Sequence, residues 1–370
     1  MSASCIIAAA RTPVVPRWGA LRNVPTFELG RAAAMACCRQ AGVERHRIEE
    51  LVAGNVLGPG GNPARSIALH AGLSASVAGL TVDRQCASGL DALLIADSLI
   101  RSKQASVVLA GGVESYSLRP KCHLATAHGH ADEPMDQAPF TPWPDRDPNM
   151  HDAAEKLSRQ FGIGRSRQEE WAIDSHRKAL NAQLHLTDEI ASIPEVEVEG
   201  DGFARRLDRR LCKRAKRLTA TITSATAAVA ADAGAFCLVV SEDMANSSAS
   251  KAMHIVSGAT IGNDPEVPGI AAVDASRKAM QIASVRSSQL RVVELMEAYA
   301  VQAIACAELL ELPPEATNVG GGALARGHPI GASGAVLAVR AYHELAKRGG
   351  IGLAAIPSAG GLGTAIVFSG

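Results

Sequence analysis

Ala87-Ser88-Gly89, a largely apolar run from Leu90 to Ile100, a basic break at Arg101 and Lys103, and Ala105-Ser-Val-Val-Leu-Ala110-Gly111-Gly112 form a pattern that this chain contains twice. The second copy opens 245 residues further on with Ala332-Ser333-Gly334 and stays largely apolar to Leu345. It breaks at Lys347-Arg348-Gly-Gly and resumes as Leu353-Ala-Ala-Ile before Ala359-Gly360-Gly361. In each copy the longer run predicts a helix and the short, glycine-bounded aliphatic run a buried strand. A second matching pair lies upstream of each copy, in the same order. Residues 29–56 contain Val43-Glu-Arg-His-Arg-Ile-Glu-Glu-Leu51, and residues 275–300 contain Val285-Arg-Ser-Ser-Gln-Leu-Arg-Val-Val-Glu-Leu295. Each reads as a helix, a polar turn and a buried strand. Two copies of an alternating unit predict a duplicated α/β fold, with two similar mixed sheets around shared central helices.

Between the copies the texture changes. Residues 118–150 are rich in Pro, His and Asp, including Phe140-Thr-Pro-Trp-Pro-Asp-Arg-Asp-Pro-Asn149, and predict loop. Residues 153–180 show helical spacing with charged faces (Glu155, Lys156, Arg159; Gln168, Glu169, Glu170). The expected organisation is an N-terminal half, 1–246, carrying an inserted loop domain at about 116–217, and a C-terminal half, 247–370. Insertions of this length in a compact fold are usually functional.

Composition excludes several function classes. The 370 residues are enough to bury a large core, and 37 basic against 37 acidic side chains leave no net field for nucleic acid or anionic membrane. Aromatic residues, at 3%, are too few for stacking on bases. The eight cysteines (5, 37, 38, 86, 122, 212, 237 and 306) include no Cys-x-x-Cys pair and read as free thiols in a reducing compartment. The first residues lack the basic and long apolar regions of a signal peptide, and no run is apolar for about 18 residues. The expectation is a cytoplasmic protein with no membrane partner. His123, His128 and His130 lie in the proline-rich loop without ligand spacing, so no metal site is assigned.

A reactive side chain precedes each Ala-Ser-Gly. It is Cys86 in Asp83-Arg84-Gln85-Cys86 and His328 in Gly327-His328-Pro329-Ile330-Gly331. A cysteine at a helix N-terminus feels the positive end of the backbone dipole, so its pKa is expected to fall from ~8.5 towards neutrality. If the copies pair about a local twofold axis, the two turns face each other and His328 can take the thiol proton. Cys plus His is the arrangement for covalent acyl transfer, with backbone N–H groups receiving the oxyanion. Taken singly, Cys86 fits a small buried residue and Gly-His-Pro a plain turn. Their matching places in a repeat argue for one paired site.

Ala8-Ala-Ala-Arg-Thr-Pro13, Gly54-Asn-Val-Leu57, Asn62-Pro-Ala-Arg65, Cys86-Ala-Ser-Gly89, Ala110-Gly-Gly-Val-Glu-Ser115, Asp232-Ala-Gly-Ala235, Glu297-Ala-Tyr-Ala300 and Gly327-His-Pro-Ile-Gly-Ala-Ser-Gly-Ala335 follow in this order. Carrying them, the chain resembles the thiolase family, the acetyl-CoA acetyltransferases and 3-ketoacyl-CoA thiolases, over almost its whole length. The resemblance implies a five-layered duplicated α/β fold with an inserted loop domain, and homodimers or homotetramers. It also implies a ping-pong reaction in which coenzyme A thioesters are substrates and no cofactor is needed. Cys86 would take an acyl group and pass it to coenzyme A or to the α-carbon of acetyl-CoA. His328 would activate Cys86 and help bind the thioester oxygen, while the peptide N–H groups of Cys86 and Ala359 would form an oxyanion hole.

The chain departs from the family pattern where the second half of that reaction is carried out. Pro357 stands where the family has a second cysteine that moves the proton on the substrate, and a shift of one residue would bring Ser358 there instead. Met296 replaces the asparagine of Asn-Glu-Ala-Phe, leaving Ala298 and Tyr299 in the pocket segment. Asn149-Met150 replaces His-Met, and Ala225-Thr226-Ala227-Ala228 replaces Gly-Asn-x-Ser. The basic run with Arg205, Arg206, Arg209 and Arg210 is expected either to clamp the phosphates of coenzyme A or to be a solvated helix face. The expected function is an acyl-CoA C-acyltransferase whose acylation of Cys86 survives better than its carbon–carbon step. The alternatives are a non-catalytic acyl-CoA-binding subunit and an acyl-CoA hydrolase.

Overall fold

The computed structural model describes residues 4–124, 133–135, 137–247 and 251–370, so His128 and His130 lie outside the described residues. The first half runs β1 (Ser4–Arg11), β2 (Val15–Pro16), α1 (Thr26–Ala41), β3 (Glu50–Gly54), α2 (Pro63–His70), β4 (Ala78–Val82), α3 (Ser88–Arg101) and β5 (Val107–Ser115). Next come β6 (Cys122–Leu124), β7 (Glu133–Met135), α4 (Met150–Phe161), α5 (Arg165–Ala182) and α6 (Arg209–Arg214), and then β8 (Ala231–Ser241) and α7 (Glu242–Asn246). The remainder is β9 (Met253–Gly262), α8 (Ala271–Ala283), β10 (Leu290–Leu295), α9 (Ala300–Leu309), α10 (Ala323–Arg326), α11 (Ile330–Arg348), β11 (Ile351–Ser358) and β12 (Leu362–Ser369).

The duplication is visible strand by strand. The sheet order is β10-β11-β12-β9-β1-β8-β5-β3-β4. From either outer edge inward, a parallel pair (β3 with β5, β10 with β11) is followed by two antiparallel partners (β8 and β1, β12 and β9). Thr317 bridges Val293 in parallel, in the position that β4 holds beside β3. The two expected sheets are joined at a narrow antiparallel seam, Cys5 opposite His254 and Ile6 opposite Met253. Their strands are aliphatic almost throughout because each half-sheet is covered on both faces. Helices α1 and α2 cover one outer face and α8 packs on the other, while α3 and α11 lie between the half-sheets.

Small residues at the start of the central helices follow from how closely those helices pack. A Cβ on Gly89 would sit 2.8 Å from the backbone nitrogen of Ala335, and one on Gly334 would sit 2.5 Å from that of Leu90. The two helices therefore touch backbone to backbone at equivalent glycines, where no larger residue fits. The start of α11 also rests on the parallel strands: a Cβ on Gly112 would lie 2.1 Å from the carbonyl oxygen of Gly331. This packing brings together the turns that precede α3 and α11.

The described part of residues 116–217 holds three helices and a two-stranded ribbon as well as loop. Helices α4 and α5 meet at Gly162-Ile163-Gly164, with Gly162 in the left-handed conformation, so the expected helical stretch is two helices. The segment is tied to the halves by buried charge. The Arg11 guanidinium on β1 donates to Asp201 at 2.6 and 2.8 Å and to Glu189 at 2.8 Å, and Arg340 on α11 donates to Glu189 at 2.8 Å. Burial opposes the charge on Glu189, but Arg340 and Arg11 overcome it and hold the carboxyl at about 2. No helix among the described residues is long and apolar enough to cross a membrane.

Candidate active site

Cys86 sits in a tight turn, two residues before the first residue of α3. Its neighbour Gln85 is held at φ 50°, a left-handed conformation that costs a non-glycine residue free energy and presents the next side chain at a fixed angle. The turn is fastened from several sides. The Gln85 amide donates to the Asp83 carboxylate at 2.9 Å, the Ser88 hydroxyl donates to the Gln85 carbonyl at 2.6 Å, and the Arg84 amide donates to the Ser88 hydroxyl at 2.8 Å.

His328 reaches the same point from the other half. Its Nε2 is 3.2 Å from the Cys86 sulfur, and its Nδ1 is 2.6 Å from the Ser333 hydroxyl. That hydroxyl donates its one proton to the Pro329 carbonyl at 3.0 Å, so it can only accept from Nδ1–H. The bare ring nitrogen is then Nε2, facing the thiol as a base requires. Behind the turn, buried Glu114 accepts from the amides of Gly331, Val56 and Leu57 and from the Asn55 side chain, fixing the start of α11 against β5. Burial pushes this carboxyl up to about 7 against the pull of those amides.

The expected low thiol pKa is not what the resting site has. Burial pushes Cys86 up to about 11, outweighing the lowering by the amides of Ala359 and Cys86 and by the Ser358 hydroxyl. Burial also brings His328 down to about 4. The dipole argument treats the helix end as though water surrounded it, whereas here removal of water is the larger effect. At neutral pH the pair is a thiol beside a neutral imidazole, already placed for proton transfer.

The sulfur forms part of an apolar cavity of about 50 Å³, whose walls come from Met150, Ala153, Ala154 and Leu157 on α4, Pro268 and Gly269, Ala298, Tyr299 and Gln302, and Pro357, Ser358 and Ala359 at the end of β11. Ala359 has its backbone N–H directed at the Cys86 sulfur.

Models of the thiolase N-terminal and C-terminal domains match residues 4–243 and 249–370. The chain belongs to the thiolase family. It is 34% identical to a probable acetyl-CoA acyltransferase of Staphylococcus aureus (strain MRSA252), over 100% of this chain and 99% of the relative. It is 35% identical to the putative acetyl-CoA C-acetyltransferase YhfS of Bacillus subtilis (strain 168), over 98% of each. Among solved structures, the Bacillus anthracis acetyl-CoA acetyltransferase superposes with a TM-score of 0.93 at 30% identity, over 100% of this chain and 99% of the other. Human mitochondrial 3-ketoacyl-CoA thiolase, solved in complex with CoA, gives 0.91 at 28%, over 100% and 98%.

Where this thiolase departs from its family's motifs, the side chains have structural employment. Ser358 is not a free base: its hydroxyl accepts from the Ala87 amide at 2.7 Å and donates to the Arg84 carbonyl at 3.0 Å. Pro357 lines the cavity and offers no proton. Met296 is buried in the core between the half-sheets, its amide bonded to Ala355. Of the expected pocket residues, Met150, Ala298 and Tyr299 line the cavity. Asn149, Ala227 and Ala228 are not among its lining residues. Asn149 instead caps α4 by accepting from the His151 amide at 2.8 Å, and Ala227 and Ala228 pair with Tyr299 and Ala298 as a backing strand.

The basic run is partly engaged within the protein. Arg205 stacks on the Phe203 ring at 4.4 Å and Arg209 pairs with Glu170 at 2.6 Å, and Arg206, Arg209 and Arg210 are all exposed. None of the four lines the cavity. The described residues hold no cluster of metal-ligating side chains, and all eight cysteines are free. Sequence reading missed Glu114, Gln302 and, above all, His151, whose Nδ1 is 2.8 Å from the Tyr299 hydroxyl.

Proposed function

We propose that this thiolase is an acyl-CoA C-acyltransferase that forms an acyl-enzyme on Cys86 and passes the acyl group to coenzyme A or to acetyl-CoA. The observation that carries the proposal is the 3.2 Å contact between the Cys86 sulfur and the bare Nε2 of His328 at the base of an apolar cavity. His328 takes the thiol proton as the sulfur attacks the thioester carbonyl, and the amides of Cys86 and Ala359 receive the oxyanion. Because the resting pair is neutral, the charges develop only when a carbonyl is there to use them. The leaving coenzyme A thiolate takes the proton back from His328.

The second half-reaction has no thiol in its family position, since that position is Pro357 and the Ser358 hydroxyl is occupied. The carbon–carbon step is therefore slower than acylation. Arg205, Arg206, Arg209 and Arg210 are assigned to the phosphates of coenzyme A, the last three being exposed. The chain is assigned to a reducing, cytoplasmic setting and to a homodimer or homotetramer, with halves at 1–246 and 247–370. The test is intact-mass spectrometry after incubation with a series of acyl-CoAs. An acyl adduct on the native chain that is lost in Cys86→Ala supports the reading. No adduct from any acyl-CoA overturns it in favour of a non-catalytic subunit.

A further inference from the structure

The cavity beside Cys86 has few groups that can hold a proton, and most are already occupied. The Ser358 hydroxyl bonds Ala87 and Arg84. The Gln302 amide accepts from the Ala298 N–H at 3.1 Å and donates to the Met296 carbonyl at 3.0 Å. His328 is the partner of Cys86 itself. Among the described lining residues, this leaves the Tyr299 hydroxyl, which rests 2.8 Å from His151 Nδ1, with the two rings edge to face at 5.7 Å. His151 is the second residue of α4 and is held there by the Asn149 cap. The residue is half-buried.

Resting on the reading of Cys86 as the acyl carrier, we propose that the Tyr299–His151 pair is the proton-transfer device of the carbon–carbon step, in place of the thiol that Pro357 removes. In the condensing direction the α-C–H bond of acetyl-CoA breaks as its proton passes to the Tyr299 oxygen and the Tyr299 hydroxyl proton passes to His151 Nδ1. The α-carbon forms its bond to the acyl carbonyl carbon, and the bond from that carbon to the Cys86 sulfur breaks, leaving the thiolate. The His151 imidazolium releases its proton to solvent, and the thiolate takes one up. Thiolysis runs the same steps in reverse, with a proton delivered to the departing carbanion. Tyr299 is assigned as the catalytic residue, since it lines the cavity beside Cys86. His151 acts through it. Burial lowers His151 and raises Tyr299, so both rest neutral and poised to share one proton.

The test compares the native chain with Tyr299→Phe and His151→Gln in two assays. One is acylation of Cys86 by acetyl-CoA, read by mass. The other is exchange of acetyl-CoA methyl protons in deuterated water, read by NMR, which does not depend on an acyl-enzyme. The expected result is that exchange and acetoacetyl-CoA thiolysis fall about 10²-fold further than acylation does in Tyr299→Phe, with a smaller gap in His151→Gln. Cooperative unfolding at the native denaturant midpoint shows that the variants fold. Exchange unchanged in Tyr299→Phe overturns the proposal, as does a native chain that acylates but neither exchanges nor cleaves. A native chain that exchanges without acylating supports the pair while defeating the reading of Cys86.

Discussion

The wall of the cavity made by the turns before α3 and α11 differs from the wall made by the end of β11 in what its hydrogen bonds accomplish. On the first wall they aim reactive groups: Ser333 fixes which nitrogen of His328 is bare, and Glu114 anchors the amide of Gly331. On the second wall the Ala359 amide faces the sulfur, but the Ser358 hydroxyl is held by the Ala87 amide and the Arg84 carbonyl and Pro357 has no proton to give. On the proposed function, making a nucleophile and making or breaking a carbon–carbon bond are separable tasks, the second assigned to Tyr299 and His151.

Four outcomes would break or sharpen that contrast. His328→Gln keeps a polar side chain near the sulfur but cannot accept the thiol proton at neutral pH, so Cys86 acylation should slow about 10²–10⁴-fold, as rapid-quench mass spectrometry would show. A normal rate would mean that the first wall is not what activates the thiol. Because the folded-state pKa of Cys86 is raised to about 11, the neutral thiol dominates below that pH. Alkylation of Cys86 by iodoacetamide, followed on its own peptide, should then climb about tenfold per pH unit from pH 7 to 10. A plateau by pH 8 would reveal a standing ion pair. Pro357→Cys restores a thiol to the second wall and should speed acetoacetyl-CoA thiolysis about tenfold with acylation unchanged, measured as kcat beside single-turnover labelling. Ser358→Ala should cost about 1 kcal/mol of stability in denaturant unfolding by removing an acceptor from a buried amide, with no change in the thiolysis rate. A large loss of thiolysis there would make Ser358 chemical after all.

The fold was readable where packing leaves only one residue type. Gly89 and Gly334 recur at matched positions because two helix backbones meet there, so the internal repeat records a contact. The meeting of Cys86 and His328 followed from the same symmetry. The charge state of the thiol did not, because burial is a property of the whole assembled fold while a helix dipole is visible locally. Asn149, Ala227 and Ala228 were read as pocket residues from their place in a motif; none lines the cavity beside Cys86, and Asn149 caps α4 while Ala227 bridges Tyr299. The Tyr299–His151 contact joins residues from separate elements and has no spacing by which a sequence could announce it.

The glycine crossing of α3 and α11 has a consequence for how the protein is made. Cys86 is synthesised well before His328 and Ala359, which follow it by 242 and 273 residues. Until α11 docks at Gly89, the emerging polypeptide carries a lone cysteine with neither base nor oxyanion donor from the second half. Reactivity towards thioesters is in this way withheld from the nascent chain. Covalent labelling of Cys86 by an acyl-CoA would report, molecule by molecule, that α11 has docked on α3.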